Sequence, residues 1–143
     1  MTTDPKQNTL IRVEDVKMHF KKGEIKALDG VSLDIQKGDV LVIIGPSGSG
    51  KSTLLRCLNR LEVPTSGHIY VDNVDIINPK VDINAYRQKM GMVFQHFNLF
   101  PNMTVLRNMT LAPMKLLKKS KQEAEEKAMK LLERVGLKDR AEA

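Results

Sequence analysis

The stretch Gly45-Pro46-Ser47-Gly48-Ser49-Gly50-Lys51-Ser52 constrains this chain more than any other, because it matches the pattern G-x-x-x-x-G-K-[ST] in full. Polyphosphate must be met by several backbone N–H groups pointing the same way. Gly48 and Gly50 permit the dihedrals and the close approach that this requires. A helix beginning near Lys51 adds its positive N-terminal end. Lys51 supplies a compact charge for β- and γ-phosphates, and Ser52 offers a hydroxyl to Mg²⁺. From average residue frequencies, a chance match in a chain of this length has odds of roughly half a percent.

The flanking sequence supports the motif. Val40-Leu41-Val42-Ile43-Ile44 is continuously apolar and mostly β-branched, which predicts a strand covered on both faces, as in a parallel sheet flanked by helices. Leu54, Leu55, Leu58 and Leu61 then fall at helical spacing. Strand, glycine loop and helix in that order predict an α/β fold with a phosphate site at the loop.

Elsewhere the patterning is local and readable. Ile11 and Val13, then Val16, Met18 and Phe20 after a phase shift, predict a strand over 10–20 with one solvated face. Val31, Leu33 and Ile35 predict a second strand, with turns at 21–24 and 37–39. A hairpin strand is expected over 68–74 with its turn at Asp72-Asn73, a short helix over 84–88, and a short apolar strand over 90–94 ending at Gln95. Val105–Leu111 reads as helix. Ser120 with Glu123 forms a capping box before the apolar stripe Ala124, Ala128, Leu131, Leu132 and Val135, and Gly136 is placed to stop that helix.

Composition excludes several other classes. The 143 residues carry 23 Lys and Arg against 17 Asp and Glu, a net charge of +6. That excess is split evenly between residues 1–114 and 115–143, so no basic stripe marks a nucleic-acid binder. Cys57 is the single cysteine. It leaves no disulfide framework, fits a reducing compartment, and is expected in a helical core. No apolar run approaches the roughly 18 residues that span a membrane. The histidines have no metal-ligand spacing with each other or with Cys57. The Lys/Glu stretch 115–134 is expected to be a solvated helix face.

Two longer segments resemble the ATP-binding subunits of ABC transporters, and within them the polar-amino-acid uptake subfamily. They are Ile43 to Asn59 and Gly91-Met92-Val93-Phe94-Gln95-His96-Phe97-Asn98-Leu99-Phe100-Pro101, followed by Thr104 to Asn108 and Leu111-Ala112-Pro113. The resemblance implies a P-loop ATPase core with an antiparallel β-subdomain and the start of a helical subdomain. Its divisions fall at about 1–95 for core and β-subdomain and about 96–143 for the Q-loop and partial helical subdomain. It implies that Phe20 stacks on adenine, that Ala27 touches the ribose or base side, and that Gly45 to Thr53 binds ATP. Lys51 and Gln95 become catalytic, with Ser52 and Gln95 toward Mg²⁺. Phe97, Leu99, Phe100 and Pro101 become part of the surface that docks a membrane permease. The implied partners also include a second ATP-binding subunit and, indirectly, a substrate-binding protein. Nucleic acid is not among them. The implied location is the cytoplasmic face of the membrane, held peripherally.

The family pattern also contains a Leu-Ser-Gly-Gly-Gln signature, an apolar strand ending in Asp-Glu, and a switch histidine, none of which occurs in these residues. His68-Ile69-Tyr70-Val71-Asp72 ends in an acid, but Asn73 follows where Glu is needed, so Asp72 is expected in a hairpin turn. The chain is therefore expected to be the N-terminal part of a longer ATPase domain, inactive alone, with Val40–Ile44 missing part of its cover. The alternative is a non-hydrolysing nucleotide-binding or regulatory module complete at residue 143. A P-loop kinase or GTPase is disfavoured, because neither a lid with an acceptor site nor an Asn-Lys-x-Asp motif is found.

Overall fold

The computed structural model describes residues 8–96 and 98–143. They divide into two compact units, with the boundary between Met92 and Val93. In the first unit, β1 (Thr9–Phe20) and β2 (Ile25–Gln36) form a long antiparallel hairpin around a 3-10 turn at Lys21–Gly23. The phase shift in β1 is a bulge. Asp15 turns left-handed at φ +43°, and the alternation resets so that Val13 and Val16 both face inward, at 2% and 0% exposure. Gly67 lies against that bulge at φ +92°. A Cβ there would meet the Asp15 carbonyl oxygen at 2.4 Å, so the sheet closes only over a glycine.

β3 (Ser66–Val71) pairs with the other edge of β1, matching Val13 with Ile69 and Ile11 with Val71. Asp72 and Asn73 are both left-handed, at φ +49° and +64°, the hairpin-turn geometry that leads into β4 (Val74–Asp75). The sheet order is β2-β1-β3-β4. α1 (Lys51–Leu58) turns Leu54 and Cys57 onto it, and these join Val13, Val16, Leu28, Ile69, Val71 and Ile76 in one core. Each fully buried aliphatic side chain there contributes about 1.5–3 kcal/mol. α2 (Ile83–Arg87) begins where the Asp82 carboxylate accepts from the Asn84 N–H.

Two strand expectations need correction. Val40–Ile44 forms no ladder. Val40, Val42 and Ile44 are 92%, 75% and 87% exposed, while Ile43 packs against the core. Residues 90–94 are also irregular, and Val93 is 98% exposed. An apolar run becomes a central strand only when strands on both sides take up its N–H and C=O groups. Among the described residues, neither segment has such a neighbour.

In the second unit, α3 (Val105–Leu116) runs through Pro113, further than the expected 105–111. Its first four helical N–H groups are all met. Val105 and Leu106 N–H donate to the Ala143 and Ala141 carbonyls, Arg107 N–H to Thr104 Oγ1, and Asn108 N–H to the Thr104 carbonyl. α4 (Lys121–Arg134) carries the expected capping box between Ser120 and Glu123. It ends at Gly136, where φ is +72° and Leu137 N–H reaches the Leu132 carbonyl at 2.8 Å. Ala124, Ala128 and Leu132 are buried, whereas Leu131 and Val135 of the expected stripe are exposed.

Candidate nucleotide-binding site

The loop from Gly45 to Gly50 delivers the chain into α1. Ser49 N–H donates to the Pro46 carbonyl at 3.3 Å, and Leu54 N–H to the Gly50 carbonyl at 2.9 Å, which starts the helix. Gly50 is the N-cap, at φ +88° and ψ 2°, so no side chain covers the first-turn N–H groups, and that turn carries no acid. These donors have no partner within the helix. They and the helix dipole make this end favourable to an anion.

Each glycine in the loop has its own reason. A Cβ on Gly45 would meet Ser49 Oγ at 2.8 Å, and one on Gly50 would meet the Ala27 carbonyl oxygen at 2.2 Å. Gly48, at φ +78°, has nothing within 4 Å of that position, so backbone conformation alone requires it. β2 is thus the backing of the loop at Ala27.

The Lys51 ammonium folds back over the loop. It donates to the Gly45 carbonyl at 2.8 Å, the Pro46 carbonyl at 2.6 Å and Ser49 Oγ at 3.2 Å, which uses its three hydrogens. That holds one positive charge over the loop. Ser52 is exposed on the first turn of α1, and Thr53 behind it is half-buried. An open cavity of about 560 Å³ adjoins the loop, with Leu28, Val31 and Leu33 of β2 in its wall. Backbone donors, a lysine and a helix start free of acids fit the triphosphate of a nucleotide. Among the described residues no group of three or more His, Cys, Asp or Glu could hold a metal ion.

Phe20 closes β1, paired with Ile25 and 37% exposed. Gln95 belongs to the second unit, exposed in a bend. Leu99 and Phe100 are more than half exposed, and Pro101 is exposed beside them. Phe97 lies outside the described residues. Asp72 occupies the hairpin turn expected of it. Cys57 is buried, and loss of hydration pushes its thiol up to about 11, with the Glu62 charge adding to the effect.

The ABC transporter family model matches residues 28–143. The chain belongs to that family. It is 57% identical over 121 residues to the glutamine transport ATP-binding protein GlnQ of Geobacillus stearothermophilus, covering 85% of the chain and 50% of that protein. It is 50% identical over 128 residues to the arginine transport ATP-binding protein ArtM of Bacillus subtilis, covering 90% of the chain and 52% of the relative. Among solved structures it is similar to MJ0796, a bacterial ABC transporter cassette in dimeric form, with TM-score 0.81 and 37% identity over 92% of this chain and 60% of that one. The chain spans about half the length of the curated relatives it matches. The expected P-loop fold class, with its antiparallel sheet and following helices, is that of an ABC cassette.

The sequence reading missed the part played by Asn108. It sits one turn into α3, and its amide bonds four backbone groups of the preceding loop. Only the N-cap Thr104 four residues earlier hinted that a polar side chain here would face back toward the loop.

Proposed function

We propose that this chain is the nucleotide-binding part of an ATPase subunit that energises import of a polar amino acid. The observation that carries the reading is the Gly45–Ser52 loop. Its left-handed Gly50 presents the first-turn N–H groups of α1, with the Lys51 ammonium alongside. The relatives named for glutamine and arginine transport support the class of cargo.

In this reading Phe20 carries the adenine on its ring face. The backbone from Gly45 to Ser52 binds the phosphates, and Thr53 continues that turn. Lys51 leaves one of its loop carbonyls to meet the β- and γ-phosphates, stabilising the charge that develops during transfer. Ser52 and the Gln95 amide supply neutral oxygens toward Mg²⁺, and Gln95 orients the attacking water. Mg²⁺, when bound, neutralises the β- and γ-oxygens. The reading also needs a general base, a signature motif and a switch histidine, which these 143 residues do not contain. Two such subunits enclose ATP. The exposed Leu99, Phe100 and Pro101 meet a membrane permease, which receives cargo from a substrate-binding protein. The subunit works from the cytoplasmic face. Among the described residues no helix is long and apolar enough to cross a membrane. The division at about residue 95 separates the ATP-binding core from the helical subdomain.

The test is ATP-driven uptake of glutamine and arginine by vesicles carrying the full-length protein and its permease. Lys51→Ala should abolish both uptake and ATP turnover. Uptake that persists in that variant would overturn the reading. Nucleotide binding without turnover in the full-length wild type would favour the regulatory alternative.

A further inference from the structure

Asn108 and the loop before α3 form a unit that no transport role yet explains. The Asn108 Oδ1 accepts from Phe100 N–H at 2.8 Å. Its Nδ2 donates to the Phe100, Met103 and Thr104 carbonyls at 3.2, 3.1 and 3.0 Å. Two hydrogens serve three acceptors, so one is shared. Bonding both the N–H and the C=O of Phe100 imitates a neighbouring strand and fixes that residue's backbone. Met103 N–H also donates to the Phe100 carbonyl, at 3.1 Å, closing the turn.

What this clamp holds is apolar and turned outward. Leu99 is 57% exposed and Phe100 54%. Free in water, such a loop would lower its free energy by folding its side chains onto the nearest apolar surface. A backbone tied at four points resists that collapse. A partner that buries Leu99 and Phe100 then meets a surface already in its bound form, which spares the ordering cost of association.

We infer that Asn108 is a positioning residue for partner docking: its amide holds the Phe100 backbone so that Leu99 and Phe100 stand ready for an apolar surface on the permease. This rests on the docking role given to that loop above. The side chain must be an amide. An aspartate keeps the acceptor for Phe100 N–H but sets a carboxylate against three carbonyl oxygens. That same aspartate lies in the first turns of α3, where a negative charge favours the helix. If Asn108 serves only the helix, Asn108→Asp is neutral or stabilising. If it clamps the loop, Asn108→Asp loosens the loop while α3 stays intact.

The experiment uses full-length protein and two readouts. One is hydrogen exchange at the residue-100 amide, with helicity followed by circular dichroism. The other is binding to urea-washed membrane vesicles containing the co-encoded permease, against vesicles lacking it. For Asn108→Ala we expect exchange to accelerate by about tenfold or more, and for both Asn108→Asp and Asn108→Ala permease-dependent binding to weaken by a similar factor, a loss typical of one or two hydrogen bonds. Phe100→Ala should weaken binding but leave the residue-100 amide protected, since the clamp grips backbone. Full binding by Asn108→Asp alongside weak binding by Phe100→Ala overturns the inference and leaves the docking role standing. Wild-type binding by Phe100→Ala overturns the docking role and the inference with it. Unchanged exchange in Asn108→Ala removes the clamp itself.

Discussion

Replacing Gly50 by alanine tests how the phosphate loop is held. At φ +88°, a Cβ would sit 2.2 Å from the Ala27 carbonyl oxygen and 3.2 Å from Leu28 Cδ2, whereas real Cβ contacts stay beyond 3.0 Å. The left-handed backbone costs an L-residue about 1–2 kcal/mol. Driving β2 and the loop apart adds about 1–3 kcal/mol, as overpacking does elsewhere. Gly48→Ala is the control. Its φ is +78° but nothing lies within 4 Å of the new Cβ, so only the backbone cost applies. At about 2–4 °C per kcal/mol for a protein of this size class, Gly50→Ala should melt below Gly48→Ala by about 2–12 °C. The assay is thermal unfolding of the full-length variants, paired with titration of a fluorescent ATP analogue. In that titration Gly50→Ala should lose about tenfold or more in affinity, as roughly 1.4 kcal/mol misplaces the first-turn donors. Equal melting temperatures for the two variants would refute the claim that β2 buttresses the loop.

Two further outcomes follow from local packing and capping. Cys57 should resist thiol reagents at pH 8 in the folded protein and react at once in denaturant, because burial raises its ionisation to about 11. Its neutral form favours the folded state, so that share of stability is complete below the thiol's unfolded value near 9 and is lost as pH rises toward about 11. Urea melts between pH 8 and 11 measure it, and a Cys57→Ala protein should lack that part of the slope. At the other end of the chain, Ser120→Ala should cost about 1 kcal/mol, as N-cap deletions do. The Ser120 backbone and hydroxyl donors hold the Glu123 carboxyl below its ordinary value, so its contribution is present at neutral pH and fades as pH falls through that lowered value. A double-mutant cycle with Glu123→Ala, followed by chemical denaturation, should give strong coupling. Additive losses would mean that the box does not act as a unit.

The sequence alone determined whatever is local. Glycines that need left-handed backbone, a lysine and hydroxyl at fixed offsets, and a helix opening straight after them define the phosphate loop within eight residues. Ser120 with Glu123, Gly136, and the Asp72-Asn73 turn are likewise complete over a few residues, and each appears where the pattern places it. The phase shift in β1 was visible as a break in alternation, although only the structure gives its cause, the left-handed Asp15 under Gly67.

Tertiary structure decided what depends on a distant neighbour. Val40–Ile44 and residues 90–94 read as strands because a short apolar run reports which residues favour burial. Such a run does not report which segment supplies the hydrogen-bond ladder, and among the described residues none does. The approach of Ala27 to Gly50 and the grip of Asn108 on Phe100 are equally invisible in one dimension. Each is a contact between a polar group and a backbone brought to it by packing elsewhere. Residue types along the chain state the chemistry available, and the fold selects which of those groups meet.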